Sequence, residues 1–428
     1  MNPKFEAKFK EDGFSEKTLI QEKTYELLAK GQNVLGLAPT GSGKTLAYLW
    51  PLLEKAMPND GTQILVIAPS QELAAQITEV ARPWAKLLDL NVLSLIGGAN
   101  VKRQIEKLKK RPEIVIGTPG RLLNLIDMKK LKLHLVDAIV IDEADELLGQ
   151  SESLKDVREI VSHTKADSQL AFFSATDAPI LSELHRWFGV DVTRIDVRSQ
   201  DQTHGKVTHF MLETPTRKRT EMLRRLGNMD GFYGLVFFKQ TSTLRDVAEK
   251  LTHMKVPVAL LSSEKRQIDR QGALRRLKKK EIRFVLTTDV AARGLDIPNL
   301  PAVVNYDLPK DTNTYIHRVG RTGRMGAEGV VVNLGNEHGL RQFKQLMKET
   351  TYQIESGVLF AGSLIKEADR QNYIEEAELE NKPKAKPKKK AQPKPEATKK
   401  DEKVAQKKRK KRKRNQKNKG MRRKKSKE

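Results

Sequence analysis

The chain has no cysteine among its 428 residues. That excludes a disulfide framework and a thiolate metal centre, and it is consistent with a reducing compartment. No apolar run approaches the roughly 20 residues needed to span a bilayer. The opening M-N-P-K-F-E-A-K-F-K has none of the apolar core of a signal peptide. The expectation is a soluble, cytoplasmic protein without a membrane partner. Acidic charge is in short supply: Lys and Arg outnumber Asp and Glu 80 to 54, for a formal net charge of +26. Such an excess points to a polyanionic partner, nucleic acid before membrane.

The excess is unevenly placed. Residues 381–428 carry about +21 of it, leaving about +5 on the first 380. They open with the Lys-Pro-Ala stretch N381-K-P-K-A-K-P-K-K-K-A-Q-P-K-P, expected to be extended and disordered. K407-K-R-K-K-R-K-R414 and R422-R-K-K-S-K follow with no aromatic residue between them. A tail without stacking platforms is expected to hold phosphate backbones without reading sequence.

Before the tail, short apolar runs alternate with helical spacing. Candidate strands at 34–38, 64–68, 92–96, 114–117, 138–142 and 170–174 form a first set. A second set falls at 207–212, 234–238, 256–261, 282–287, 302–307 and 330–334. Alternation of this kind predicts an α/β chain of two doubly wound parallel-sheet domains in tandem. The polar, glycine-containing S-Q-D-Q-T-H-G-K marks the join. The predicted divisions are 1–200, a linker at 201–206, a second domain at 207–360, and a polar segment with the basic tail at 361–428.

The first strand of the first set runs into A38-P-T-G-S-G-K-T45. Gly41 and Gly43 let backbone N–H groups turn toward phosphate oxygens, with the positive end of a helix behind them. Lys44 would reach the β- and γ-phosphates of a nucleotide, and Thr45 would offer its hydroxyl to Mg²⁺. Ala38 stands where the general phosphate-loop pattern has its first glycine. The strand at 138–142 stops at Asp142-Glu143-Ala144-Asp145, and parallel sheets place ligands beyond such carboxyl ends. Asp142 is the candidate second anchor of Mg²⁺, through water, and Glu143 the group that orients or deprotonates the attacking water.

D142-E-A-D145 together with A38-P-T-G-S-G-K-T45 resembles the DEAD-box RNA helicases, over about Gly13 to Leu340. The resemblance implies two RecA-like domains, ATP and Mg²⁺ as cofactors, and RNA as partner. G13-F-S-E-K-T-L-I-Q21 is similar to the family's adenine-reading motif, which ends at Gln21, with Lys17 where the motif has proline. The nucleotide set then comprises Gln21, Ala38, Pro39, Thr40, Gly41, Ser42, Gly43, Lys44 and Thr45. P69-S-Q-E-L-A-A-Q76, Gly97-Gly98 and T118-P-G-R121 resemble RNA-contacting motifs, which assigns Pro69, Gly98, Thr118, Pro119, Gly120 and Arg121 to RNA. Gln71 replaces an arginine there. S174-A-T176 resembles the element that couples nucleotide state to closure: Ser174, Ala175 and Thr176, with Asp145.

The second set of strands has no phosphate loop. It has H317-R-V-G-R-T-G-R324, with arginines at 318, 321 and 324, and a glycine-spaced arginine array suits polyphosphate. By resemblance Arg321 and Arg324 are arginine fingers supplied in cis, and His317 pairs with the acids at 142–145 on closure. T287-T-D-V-A-A-R-G-L-D296 resembles the companion motif: Gly294 and Asp296 near the nucleotide, the latter on ribose, with Thr288 and Arg293 near RNA or the cleft. Gln267 and Arg270 resemble a further RNA and inter-domain contact.

The reading this supports is an RNA-dependent ATPase that couples hydrolysis and closure of two domains to local unwinding or remodelling of RNA duplexes. The alternative is an ATP-gated RNA clamp or assembly factor that unwinds little. A compact core with a polybasic tail is similar to bacterial cold-shock members of the family, which implies ribosome assembly or mRNA turnover, with ribosome-assembly or RNA-decay proteins as partners.

Overall fold

The computed structural model describes residues 1–201, 203, 205–261, 267–292, 300–323 and 326–380. Arg293, Gly294, Asp296, Arg324 and the basic tail lie outside the described residues, as does the side chain of Gln267. Residues Met1–Glu375 form one compact unit.

That unit holds two sheets. The first consists of β1 (Val34–Leu37), β2 (Ile64–Ile67), β3 (Val92–Leu95), β4 (Ile114–Gly117), β5 (Ala138–Asp142), β6 (Gln169–Ser174) and β7 (Thr193–Asp196), in the order β3-β4-β2-β5-β6-β1-β7. Every pairing in it is parallel. The period of two in a strand sorts its side chains to opposite faces. Val34, Val66, Ile116, Val140 and Phe173 join one apolar cluster. Leu35, Leu65, Val115, Ile139 and Phe172 join the other. Both faces are covered by helices, which is why the strands read as continuous apolar runs.

The second sheet repeats the plan. It consists of β8 (Val207–Glu213), β9 (Gly234–Phe238), β10 (Val258–Leu261), β11 (Phe284–Thr288), β12 (Ala302–Asn305), β13 (Gly329–Gly335), β14 (Ile354–Phe360) and β15 (Ser363–Lys366), in the order β10-β11-β9-β12-β13-β8-β14-β15. Counted from its own first strand, the first seven strands fall in the same order as those of the first sheet. β15 is added antiparallel to β14.

Three strands were not expected from the sequence. β7, T-R-I-D, is an edge strand with mostly exposed side chains; β14 and β15 are half-buried and interrupted by Gly357, Ala361 and Gly362. The second sheet therefore runs to Lys366, past the boundary read at residue 360. The other difference lies at the N-terminus, where the helix Pro3–Glu11 buries Phe5 and Phe9 in the first domain's core. Phe5 meets Trp84 edge-on at 5.5 Å, a geometry aromatic rings favour.

Candidate nucleotide and RNA interface

β1 leads into Ala38–Gly43, and the helix Lys44–Leu53 follows. Gly41 and Gly43 hold φ of 87° and 84°, a region that a Cβ disfavours. A Cβ at Gly43 would also stand 2.4 Å from Gln21 Nε2. Lys44 Nζ donates to the carbonyls of Ala38 (2.7 Å) and Pro39 (2.8 Å), and Ser42 Oγ donates to that of Pro39 at 2.7 Å. Lys44, Thr45 and the start of their helix therefore sit at the carboxyl end of the sheet. Gln21 is buried against the same loop. Its Oε1 accepts the Thr18 N–H at 3.0 Å and its Nε2 donates to the Gly43 carbonyl at 3.3 Å. Lys17 lies 5.1 Å over the ring of Tyr25.

The strand two places along the same sheet, β5, ends on Asp142, which is buried. Asp142 accepts the Tyr48 hydroxyl at 3.0 Å and the Glu143 N–H at 2.9 Å. Burial first, then the neighbouring Glu143, raise its pKa to about 6 against the pull of Lys44 and of the Tyr48 hydroxyl. Glu143 has φ 48° and ψ 52°, a left-handed conformation in a residue with a side chain, worth on the order of 1–3 kcal/mol of strain. Its Oε2 is buried without a hydrogen-bond partner. Strain and an unpaired buried oxygen in one residue are the marks of a site rather than of a packing device. The buried carboxylates of Asp142 and Glu143, linked to the Thr45 hydroxyl through that of Tyr48, fit a divalent cation.

Asp145 gathers three elements. One of its oxygens, Oδ2, accepts from the Thr176 hydroxyl and sits 2.8 Å from His317 Nε2. Thr176 is fixed in turn by Ser174, whose Oγ accepts the Thr176 N–H at 3.0 Å and donates to its carbonyl at 2.6 Å. Ala175 is buried between them. Burial opposes ionisation of Asp145, but the hydrogen bonds and charge of His317 and Thr176 outweigh it and lower its pKa. Burial likewise works against the His317 cation, and Asp145 more than restores it, so the His317 pKa is raised.

The three arginines read as one array have different settings. Arg318 is buried in the second domain, with its guanidinium on Asp289 (2.6 and 2.9 Å), the Asn305 side chain (2.8 Å) and the Asp307 carbonyl (2.7 Å). Arg321 lines a cavity of about 510 Å³ together with Asp145, Asp289 and His317. Arg324 is outside the described residues. The helix that carries the array, Thr312–Val319, stops before Arg321, so the spacing of three does not keep the arginines on one face.

Four RNA candidates of the first domain, Pro69, Thr118, Pro119 and Gly120, line a second groove of about 490 Å³ with Arg270 of the second domain, while Gly98 and Arg121 lie outside its wall. Two helix N-termini open there, those of Gln71–Lys86 and Pro119–Asp127. Both suit phosphate oxygens. Gly98 has φ 68°, and a Cβ at Gly97 would stand 2.8 Å from Gln71 Nε2, so Gln71 packs on this glycine pair. Arg121 is turned to Gln104 Oε1 (2.7 Å) and the Ala99 carbonyl (3.3 Å). From the second sheet, Thr288 Oγ1 accepts the Ala291 N–H at 3.4 Å, and Arg270 donates to the Ala291 carbonyl at 2.6 Å.

Two residues the sequence reading passed over matter to this geometry. Glu72 forms an ion pair with Arg270 at 2.6 Å, joining the two sheets at the groove, with side chains 16% and 10% exposed. Its signal was position, next to Gln71 in the quoted motif. Tyr48, one helical turn beyond Lys44, had no signal short of the fold.

Comparison with known proteins agrees with this arrangement. Residues 18–184 match the family model "DEAD/DEAH box helicase", and residues 217–326 match "Helicase conserved C-terminal domain". The probable ATP-dependent RNA helicase YfmL of Bacillus subtilis is 39% identical over 353 residues, 82% of this chain and 93% of that protein. The DEAD-box ATP-dependent RNA helicase CshC of Bacillus cereus is 37% identical over 366 residues, 85% of this chain and 94% of its own. In fold, the chain resembles Dbp5 of S. cerevisiae bound to RNA and ADP BeF3, with a TM-score of 0.75 at 23% identity, covering 89% of this chain and 97% of the other. The motifs, the paired sheets and these relatives converge, and the chain belongs to the DEAD-box ATP-dependent RNA helicases.

Proposed function

We propose that this helicase opens RNA duplexes locally, by closing its two domains around ATP and one RNA strand, and that hydrolysis reopens them. The observation that carries the reading is the meeting at Asp145 Oδ2, where Thr176 of the first domain and His317 of the second converge on one oxygen of the acidic motif. A group shared in this way exists only when the domains are together, so ligands that favour the closed form are coupled through it.

In this reading Lys44 and the loop Ala38–Gly43 hold the phosphates of ATP, and Gln21 reads adenine, its amide already braced on Thr18 and Gly43. Thr45 and Asp142 would hold Mg²⁺, which supplies charge neutralisation at the phosphates. Glu143 takes the proton of the attacking water through its unpaired Oε2. Arg321 meets charge that develops on the transferred phosphoryl group, and Arg324 is proposed as its companion. Gly294 and Asp296 are proposed on the nucleotide side, with Asp296 on ribose, and Arg293 near the RNA or the cleft. RNA lies along Pro69, Gly98, Thr118, Pro119, Gly120, Arg121, Gln267, Arg270 and Thr288.

The domain divisions are proposed as read from the sequence, with the second extended to Lys366 to include β15. Residues 381–428 are proposed as a sequence-independent RNA anchor. A cytoplasmic setting and a role in ribosome assembly or mRNA turnover are proposed from composition and from the cold-shock resemblance.

The test is strand displacement on short RNA duplexes, run beside RNA-stimulated ATPase. Wild-type protein should release strands with ATP, and Arg321→Ala should lose both activities with little change in ATP affinity, because a finger acts on charge present only in the transition state. Retention of RNA with an unhydrolysable analogue, without any strand release under ATP, would make the protein a clamp and overturn the reading.

A further inference from the structure

We propose that Gly320 is a positioning residue whose missing side chain sets how closely the second domain can approach the phosphate loop, and through that the placement of Arg321 and His317. The inference rests on domain closure as proposed above.

Gly320 follows the helix Thr312–Val319 and is buried. Its φ of −59° and ψ of 3° are open to any L-residue. Nothing in its own backbone therefore asks for glycine. The demand comes from the other domain. A Cβ built on Gly320 would stand 1.9 Å from Thr40 Oγ1, 3.0 Å from Thr40 Cβ and 3.1 Å from Thr40 Cγ2. Thr40 is the third residue of the phosphate loop A38-P-T-G, and its hydroxyl donates to the Gly320 carbonyl at 3.2 Å. Rotating the Thr40 side chain moves Oγ1 and Cγ2 but leaves Cβ where it is. A rotamer change removes the shortest contact but gives up the hydrogen bond to the Gly320 carbonyl and still leaves Thr40 Cβ at 3.0 Å, so the two backbones must give by a few tenths of an ångström.

What that separation would cost follows from the neighbours. Arg321 is the next residue, and His317 stands one helical turn back with its Nε2 2.8 Å from Asp145. A displacement of Gly320 is passed to both; a full ångström costs on the order of 10²-fold in a catalytic step, and a few tenths together with the lost Thr40 hydrogen bond about a tenth of that factor. Glycine here is a spacer read across the cleft: the second domain supplies the gap and Thr40 fills it.

The chain's lack of cysteine makes a direct test simple. Fluorophores are placed through Glu159→Cys and Lys250→Cys, both exposed, one on each domain. Energy transfer is then recorded in the full chain with an unhydrolysable ATP analogue and single-stranded RNA. Gly320→Ala should keep the circular dichroism spectrum and the RNA-independent affinity for nucleotide. It should lose the ligand-dependent change in transfer and at least about tenfold of the RNA-stimulated turnover. In a Thr40→Gly background the same Gly320→Ala change should cost less than about threefold in the ligand concentration needed for closure, since the atoms it meets are gone.

A wild-type chain with no ligand-dependent transfer change would defeat domain closure itself. A wild-type chain that closes while Gly320→Ala closes equally well would defeat the spacer alone. So would an equal penalty in both Thr40 backgrounds, which would make the glycine a need of the second domain by itself. Because closure is read without turnover, the comparison stands even if Thr40→Gly hydrolyses no ATP.

Discussion

Glu72→Ala should weaken RNA binding, although simple electrostatics says it should strengthen it. Glu72 lines the groove assigned to RNA, and removing a carboxylate from such a wall lowers repulsion of phosphates. Its partner, however, is Arg270 of the other sheet, at 2.6 Å, with little of either side chain exposed. Stranding one member of a buried pair costs about 3–5 kcal/mol, against 0–1 kcal/mol for a surface pair. Arg270 keeps the Ala291 carbonyl at 2.6 Å and a tenth of its side chain in solvent, so the cost falls between the two ranges, about 2–3 kcal/mol. That penalty falls on the closed form only, since in the open form each group is hydrated. At about 1.4 kcal/mol per decade it shifts the closed-to-open ratio by roughly 30- to 100-fold. The assay is RNA-stimulated ATPase titrated with RNA: half-saturation should rise by that factor while the saturated rate stays near wild type. Exchanging the pair, Glu72→Arg with Arg270→Glu, should recover part of the loss, short of full recovery because a carboxylate cannot donate to the Ala291 carbonyl. Half-saturation within about threefold of wild type, or tighter RNA binding, would refute the argument.

Glu143→Gln should keep ATP and RNA binding and lose turnover by about 10²–10⁴-fold in a steady-state ATPase assay, since the amide keeps the shape but takes no proton. His317 gains its partner on closure and its pKa rises above the ordinary 6.5; proton binding and closure therefore favour each other, fully below that value and with loss as pH climbs through the raised one. The expected swing in RNA half-saturation is about fivefold, the roughly 1 kcal/mol between a charged and a neutral hydrogen bond, and His317→Gln should flatten it. Deleting residues 381–428 should raise the RNA half-saturation concentration at low salt, leave the saturated rate unchanged, and matter less as salt rises, with a slope of about −0.7 per neutralised phosphate on single strands; equal half-saturation for both chains at low salt would reduce the tail to a solubility device.

Much of this site could be read before any coordinates. Short, doubly buried strands write themselves as apolar runs, and β4, β5 and β9 match the expected spans to the residue. β7 could not be read that way, because an edge strand with exposed T-R-I-D satisfies backbone pairing on one side and leaves its side chains free of the core. The acids and the phosphate loop were legible because strong local chemistry fixes their residue types. Pairings across the chain were legible only where the family resemblance supplied them: it gave His317 the acids at 142–145, and His317 meets Asp145, whereas Glu72 and Arg270 carry no mark in sequence of meeting each other. Arg318 shows the same limit at short range. Three arginines at equal spacing look equivalent, yet the helix ends at Val319 and leaves Arg318 inside, on Asp289 and Asn305.

The repeated strand order explains why the second domain contributes side chains to an ATP site instead of carrying one. β8 occupies the place of β1, and the helix that follows it opens at Arg219, where the first domain has Lys44. β12 occupies the place of β5, and just past its end lies Asp307. In the first domain those two places hold Lys44, bonded to the phosphate loop's own carbonyls, and Glu143, whose Oε2 has no hydrogen-bond partner. In the second they satisfy each other: Arg219 donates to Asp307 at 3.2 Å and to the Tyr306 carbonyl at 3.1 Å, while Asp307 also accepts the Lys239 N–H at 2.9 Å. The connection between β8 and that helix, T214-P-T-R-K, holds no glycine to turn N–H groups inward. A phosphate there would have to displace an ion pair and find no backbone cradle. Among the described residues the place of the phosphate loop in the second sheet is thus taken by an ion pair, and His317, which this domain offers outward, finds Asp145 across the cleft.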